Sequence, residues 1–292
     1  MRVLALVSGL IFLASFMATL GLRLTPGLLS AELARPGRLG RGLVLNLVLV
    51  PLATVLCLRA LGVTGWVAAG LVALAVSPGA PLSPSSAKKA GGSPGYAIVL
   101  TVVLGIVTAF TAAPSARWLL SYEGDIGVRP PVIIAKLALL QWLPLAAGAL
   151  QRRRSPERAA QLERVAMALV VVSGLLIVVG SIAPLVPHLS IVGWRGLSAV
   201  LVSMVAVVTL GWLSGGSDHE LSRTFTATAG VPNIGLAMAM ARAANAPRDL
   251  LLTIAACFLL RVFANQFLVQ FLARAHGRPA EPFPVGSSAV RP

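Results

Sequence analysis

Carboxylates are scarce in this chain: nine Asp and Glu residues among 292, against 24 Lys and Arg. Charged residues of both signs make up 11% of it, less than half of the roughly 25% usual in soluble domains. An ordinary solvated surface is thereby excluded. Cysteine is nearly absent. Cys57 and Cys257 both lie inside apolar runs, so neither a disulfide framework nor a thiolate metal site can be built, and both read as small core residues. His188, His219 and His276 are scattered and make no ligand cluster. Aromatic residues amount to 5%, and no basic stretch alternates with them, which removes the stacking platform that single-stranded nucleic acid requires. No phosphate-binding, dinucleotide, hydrolase or kinase signature is present. No nucleophile–base pair is visible either, so the chain is not expected to be an enzyme or to bind nucleic acid.

Apolar residues fill the space that charge vacates: 57% of the chain is hydrophobic and its mean hydropathy is +0.88. Crossing a bilayer takes about 20 such residues in a helix. Nine spans are expected at 3–22, 41–61, 65–90, 94–119, 131–150, 163–185, 191–213, 218–244 and 248–273. The fold class is therefore an all-α polytopic membrane protein of about nine transmembrane helices. Residues 1–275 form one transmembrane domain, and the polar, Pro-rich residues 276–292 are expected to be a disordered tail. The run after Arg2 is read as the first span, not a signal peptide, because no small-residue cleavage site follows it. Arg and Lys concentrate on one side, at Arg35, Arg38, Arg41, Lys88, Lys89 and the Arg152-Arg153-Arg154 run among others. The positive-inside rule makes that side cytoplasmic. The N-terminus is then outside and the C-terminus inside, in a cell (inner) membrane.

The third and eighth spans are each interrupted, at Ser77-Pro78-Gly79-Ala80-Pro81-Leu82-Ser83-Pro84 and at Gly230-Val231-Pro232-Asn233-Ile234-Gly235. Proline removes a backbone donor and glycine loosens the helix. Freed backbone is tolerated at membrane depth only where protein buries it or it lines a cavity. Five spans separate the two breaks, so the broken spans run in opposite directions and an inverted repeat follows. Matching interruptions in two halves of a chain point to a transporter's midplane binding site. Ser83 is expected to cap the half-helix after the first break, with Pro84 in its first turn; Pro232 offers a similar start in the second. A small organic anion is expected to bind at Ser83, Ser85 and Ser86 and at Val231, Pro232 and Asn233. Arg261 lies about 16 Å from either end of the last span, at 1.5 Å per residue, too far to reach the headgroups. Asn265 follows one turn later on the same face. Arg261 either attracts the anion, with Asn265 beside it, or hydrogen-bonds backbone carbonyls of a broken helix.

Taken in order, several of these stretches resemble the bile acid:sodium symporter family. They are Leu20-Gly21-Leu22-Arg23-Leu24-Thr25, Asn46 with Pro51, Ser77-Pro78-Gly79, Ala90-Gly91-Gly92, Thr101, and Arg223-Thr224-Phe225 through Gly230, Asn233 and Gly235. The resemblance implies two crossed broken helices in a core domain beside a panel domain. It has nine helices where the family's five-plus-five plan has ten. It implies symport of organic anions with two sodium ions bound beside the crossover. Among the sodium ligands so implied, Ser83 and Thr101 match, and Asn46 stands where the family has Gln. Pro84 replaces an Asn, Ala97 a Ser, Pro232 a Gln, and Thr228 the Glu that bridges both ions.

All nine acidic residues fall in loops, at span ends or in the tail. No carboxylate is placed to offset a sodium ion or relay a proton in a low dielectric. The expectation is a secondary transporter with weakened or absent sodium coupling. One sodium site built from Ser83, Thr101, Thr228 and Asn46 is what survives of the implied pair; no other cofactor is expected. The rival expectation is a membrane sensor or scaffold that keeps the fold and transports nothing.

Overall fold

A computed structural model describes residues 2–119, 130–185 and 189–275. Among these residues every regular element is helical. Helix α1 (Arg2–Arg23) ends where Thr25 caps a short helix α2 (Pro26–Leu33), its Oγ1 accepting from Leu28 N at 3.3 Å. Pro26 occupies the first turn, where a missing N–H costs nothing, and the chain turns by 85° between the two helices. Helix α3 (Pro36–Val44) continues through a π-helical turn at Leu45–Leu49 into α4 (Val50–Ala60). The wide turn has a local cause. Pro51 cannot donate within the helix and its ring crowds the preceding turn; the helix relaxes just before it, and Val50 N reaches back to Leu45 O. The span expected at 41–61 thus begins earlier, at Pro36.

Gly62 and Gly65, both at positive φ, turn the chain into α5 (Gly65–Ala75). After the first break come α6 (Ser83–Lys89) and α7 (Pro94–Leu119), followed by α8 (Pro130–Arg154) and α9 (Pro156–Leu185). Helix α10 (Leu189–Gly215) is kinked at Gly193, which has φ 55°. Asp218 caps α11 (His219–Ala229) through Oδ1 to Leu221 N, 2.9 Å. Beyond the second break lie α12 (Ile234–Ala243) and α13 (Arg248–Ala275).

Each expected span falls on a helix or a pair of helices. Among the described residues, five are long and apolar enough to cross a bilayer alone: Pro36–Ala60, Pro94–Leu119, Pro156–Ile177, Val192–Gly215 and Arg248–Phe271. The bent pair α1–α2 makes up to six. The two broken spans consist of half-length helices, as their Pro and Gly content requires. The tail 276–292 lies outside the described residues.

Helices α1, α8 and α9 pack chiefly on one another, while α4, α5, α6, α7, α10, α11 and α13 pack around the two breaks. The first group is locked by reciprocal glycines. A Cβ on Gly21 would fall 2.7 Å from Ala149 N, and one on Gly148 would fall 3.0 Å from Leu22 N. Small residues let membrane helices approach backbone to backbone, where van der Waals contact replaces the hydrophobic drive that lipid removes. Arg23 Nε also pairs with Glu163 Oε1 at 2.7 Å, joining α1 to α9.

Candidate functional site at the crossing of two broken helices

Where α5 stops, the chain from Ser77 to Ala80 is completely enclosed. Gly79 has φ 83°, a conformation that glycine adopts without penalty, and it rests against Thr101 and Leu104 of α7. The second break, Gly230 to Asn233, is equally buried. The two meet directly: Asn233 N donates to Ser77 O at 2.7 Å. Irregular backbone deep in the protein is thereby partly satisfied by its counterpart in the other half.

The half-helix starts differ by one residue from expectation. Leu82, already in helical conformation, is the cap of α6, and Ser83 and Pro84 fill its first turn. Ser86 N bonds Leu82 O at 2.8 Å, so the Ser83 hydroxyl is not needed for capping. It remains buried without a partner. In the second break the cap is Asn233 and not Pro232: Asn233 is extended and its Oδ1 accepts from Leu236 N at 3.1 Å. Pro232 precedes the cap, where its lack of an N–H is harmless.

The other expected site residues are distributed as follows. Ser86, Val231, Pro232 and Asn233 are buried, whereas Ser85 is exposed and bonds its own helix through Leu82 O at 2.8 Å. Thr101 is enclosed and touches Gly79. Thr228 lies in the last turn before the second break, its hydroxyl donating to Phe225 O at 3.3 Å. Asn46 is buried in the π turn and donates Nδ2 to Gly42 O at 2.9 Å. Their chain neighbours Leu100, Ala229 and Leu45 belong to one apolar cluster.

Arg261 and Asn265 stand on α13 at 1% and 0% exposure. Asn265 Oδ1 lies against Gly230, where any Cβ would overlap it. Arg261 Nε and Nη2, Asn265 Oδ1 and Nδ2, and the hydroxyls of Ser77 and Ser83 are all buried without a hydrogen-bond partner. Native interiors rarely leave such groups unmet, so each of them is a candidate contact for a ligand or water. Ser77 is a residue that sequence reasoning missed as a site member. Gln141 of α8 was also passed over; it is fully enclosed, with both amide atoms unpartnered and facing Gly105 of α7. A polar residue in the middle of an apolar span was its signal.

Electrostatically the crossing is short of negative charge. Among the described residues the carboxylates sit near helix ends or in the first turns, at Glu32, Glu157, Glu163, Asp218, Glu220 and Asp249. No group of three or more His, Cys, Asp and Glu is placed to hold a metal ion there or elsewhere among them. Any sodium ligand set would consist of Ser83, Thr101 and Thr228 hydroxyls, the Asn46 amide and backbone carbonyls.

Paired, buried helix breaks in opposite halves of a polytopic membrane protein define the discontinuous-helix class of secondary transporters. A model of the sodium bile acid symporter family matches residues 10–212, so the chain belongs to that family, a family of transporters. The match takes in the first break and ends before α11. No curated relative matches the chain at a significant level.

Proposed function

We propose that this chain is a secondary transporter that moves a small organic anion across the inner membrane by alternating access, binding it at the crossing. The observation that carries the reading is the junction of the two breaks, Asn233 N to Ser77 O at 2.7 Å, beside unpartnered buried polar groups on α13. Ser77, Ser83, Asn233 and Asn265 supply neutral polar contacts, Ser86, Val231 and Pro232 shape the wall, and Arg261 supplies charge. Sodium coupling, a property of the family by its description, is weak or absent here, because the hydroxyls of Ser83, Thr101 and Thr228 have no carboxylate beside them. The N-terminus lies outside and the C-terminus in the cytoplasm, in keeping with the Arg and Lys distribution.

The test is uptake of labelled carboxylates, cholate among them, into proteoliposomes holding the full chain. Accumulation or exchange that Asn233→Ala abolishes supports the reading. A protein that saturates with the anion but never moves it inside is the membrane sensor or scaffold instead, for which the unconventional ion-ligand set is the motivating observation.

A further inference from the structure

Among the described residues Arg261 is the largest fully enclosed side chain. Its Nε and Nη2 have no hydrogen-bond partner, and the described ion pairs, Arg23–Glu163 and Arg38–Asp218, lie elsewhere. Among the described residues, the titratable groups that act on it electrostatically are two thiols, Cys57 and Cys257. One turn along α13, Asn265 presents an unpartnered amide directly to Gly230 of the second break. A guanidinium does not shed its proton, and a buried charge without a counter-charge is costly. Two adjacent donors of this kind suit a carboxylate, which accepts hydrogen bonds in parallel from a guanidinium fork.

The same charge acts against a cation. The oxygens near the crossing that could hold sodium are neutral, and one of them, Ser77 O, already accepts from Asn233 N. Near a fixed guanidinium a sodium ion is disfavoured and an anion favoured by the same Coulomb energy. We infer that the Arg261 guanidinium supplies, permanently, the positive charge that sodium would otherwise bring to the crossing, so that a carboxylate substrate binds without sodium. This inference rests on the transport reading above and deepens it.

The experiment uses the full chain in detergent, titrated with cholate, benzoate and acetate. Each is given as its sodium, potassium and N-methylglucamine salt at equal ionic strength, and the shift in unfolding temperature gives the half-saturation. The expected result is at least one anion with the same half-saturation in all three cations. Arg261→Gln then weakens it roughly tenfold or more, and Arg261→Lys, which keeps the charge but not the fork, recovers only part of the loss. Half-saturation that tightens in sodium alone overturns the inference and leaves the transport reading standing. A saturable sodium-specific stabilisation without any anion, removed by Thr228→Val, overturns it equally. No saturable shift for any anion in any cation overturns the transport reading and takes the inference with it. If Arg261→Gln does not fold, the cation comparison on the unaltered chain still decides.

Discussion

Asn265 separates a structural role from a binding role, because its side chain makes no hydrogen bond to lose. A buried polar group that is already unsatisfied gives up little when replaced by an apolar one of similar size. Asn265→Leu is therefore expected to keep stability within about 1 kcal/mol, or about 2–4 °C in unfolding temperature for a chain of this size. Anion uptake should nevertheless fall at least tenfold. A large drop in unfolding temperature would mean that Asn265 is bonded in the folded protein and serves the scaffold. Asn233 behaves oppositely, since its Oδ1 holds Leu236 N. Asn233→Ala should cost about 1 kcal/mol as a lost cap, and Asn233→Ser should restore most of that. If the side chain also contacts substrate, Ser will recover stability without recovering uptake; equal recovery of both would confine Asn233 to capping.

The helices differ in how much room they leave at their contacts. At Gly148 the obstacle to a side chain is the backbone of α1, Leu22 N lying 3.0 Å from a Cβ there; backbone cannot step aside. Gly148→Val should force α1 and α8 apart and cost several kcal/mol, as overpacking does, seen as loss of folded protein in size-exclusion or a sharply lowered unfolding temperature. At Gly105 the nearest atoms are Met17 Cε and Sδ, 3.2 and 3.4 Å away, the far end of a flexible side chain. Gly105→Ala should be tolerated. Comparable thermal stability of the two variants would sink this account of the α1–α8 contact. These close approaches were illegible in the sequence, since a glycine looks the same whether it meets backbone or lipid. The breaks, in contrast, were legible, because Pro78, Pro81, Pro232, Gly79 and Gly230 each remove or loosen something that a spanning helix requires. Their caps were misplaced by one residue: the sequence offered Ser83, a good cap by type, but Leu82 already had helical geometry and took the position. The π turn around Asn46 was hidden for a related reason. Pro51 announces a disturbance, but whether the helix answers with a kink or a widened turn depends on what packs around it.

Taken together, the helices form two groups that touch along α7, α8, α1 and α12, and the alternating access proposed above would have this seam open and close. Along it the rings of Phe110 of α7 and Trp142 of α8 meet at a tilt, with centroids 4.9 Å apart and planes at 57°. The aromatic contact is worth only about 0.5–1.5 kcal/mol beyond the area it buries, little enough to be broken and remade. Gln141, the residue before Trp142, keeps its amide unpartnered against Gly105 of α7. Phe110→Cys with Trp142→Cys, in a chain whose Cys57 and Cys257 are replaced by Ala, can be bridged by a short bis-methanethiosulfonate, which joins each thiol through a reducible disulfide. Uptake into proteoliposomes should fall to background when the bridge forms and return on reduction, while either single-cysteine variant treated alike keeps its rate. If the bridged protein accumulates anion undiminished, the two helix groups do not move against each other at this seam. The route past the crossing would then have to open within the group that surrounds the breaks, by rearrangement of α6 and α12 themselves.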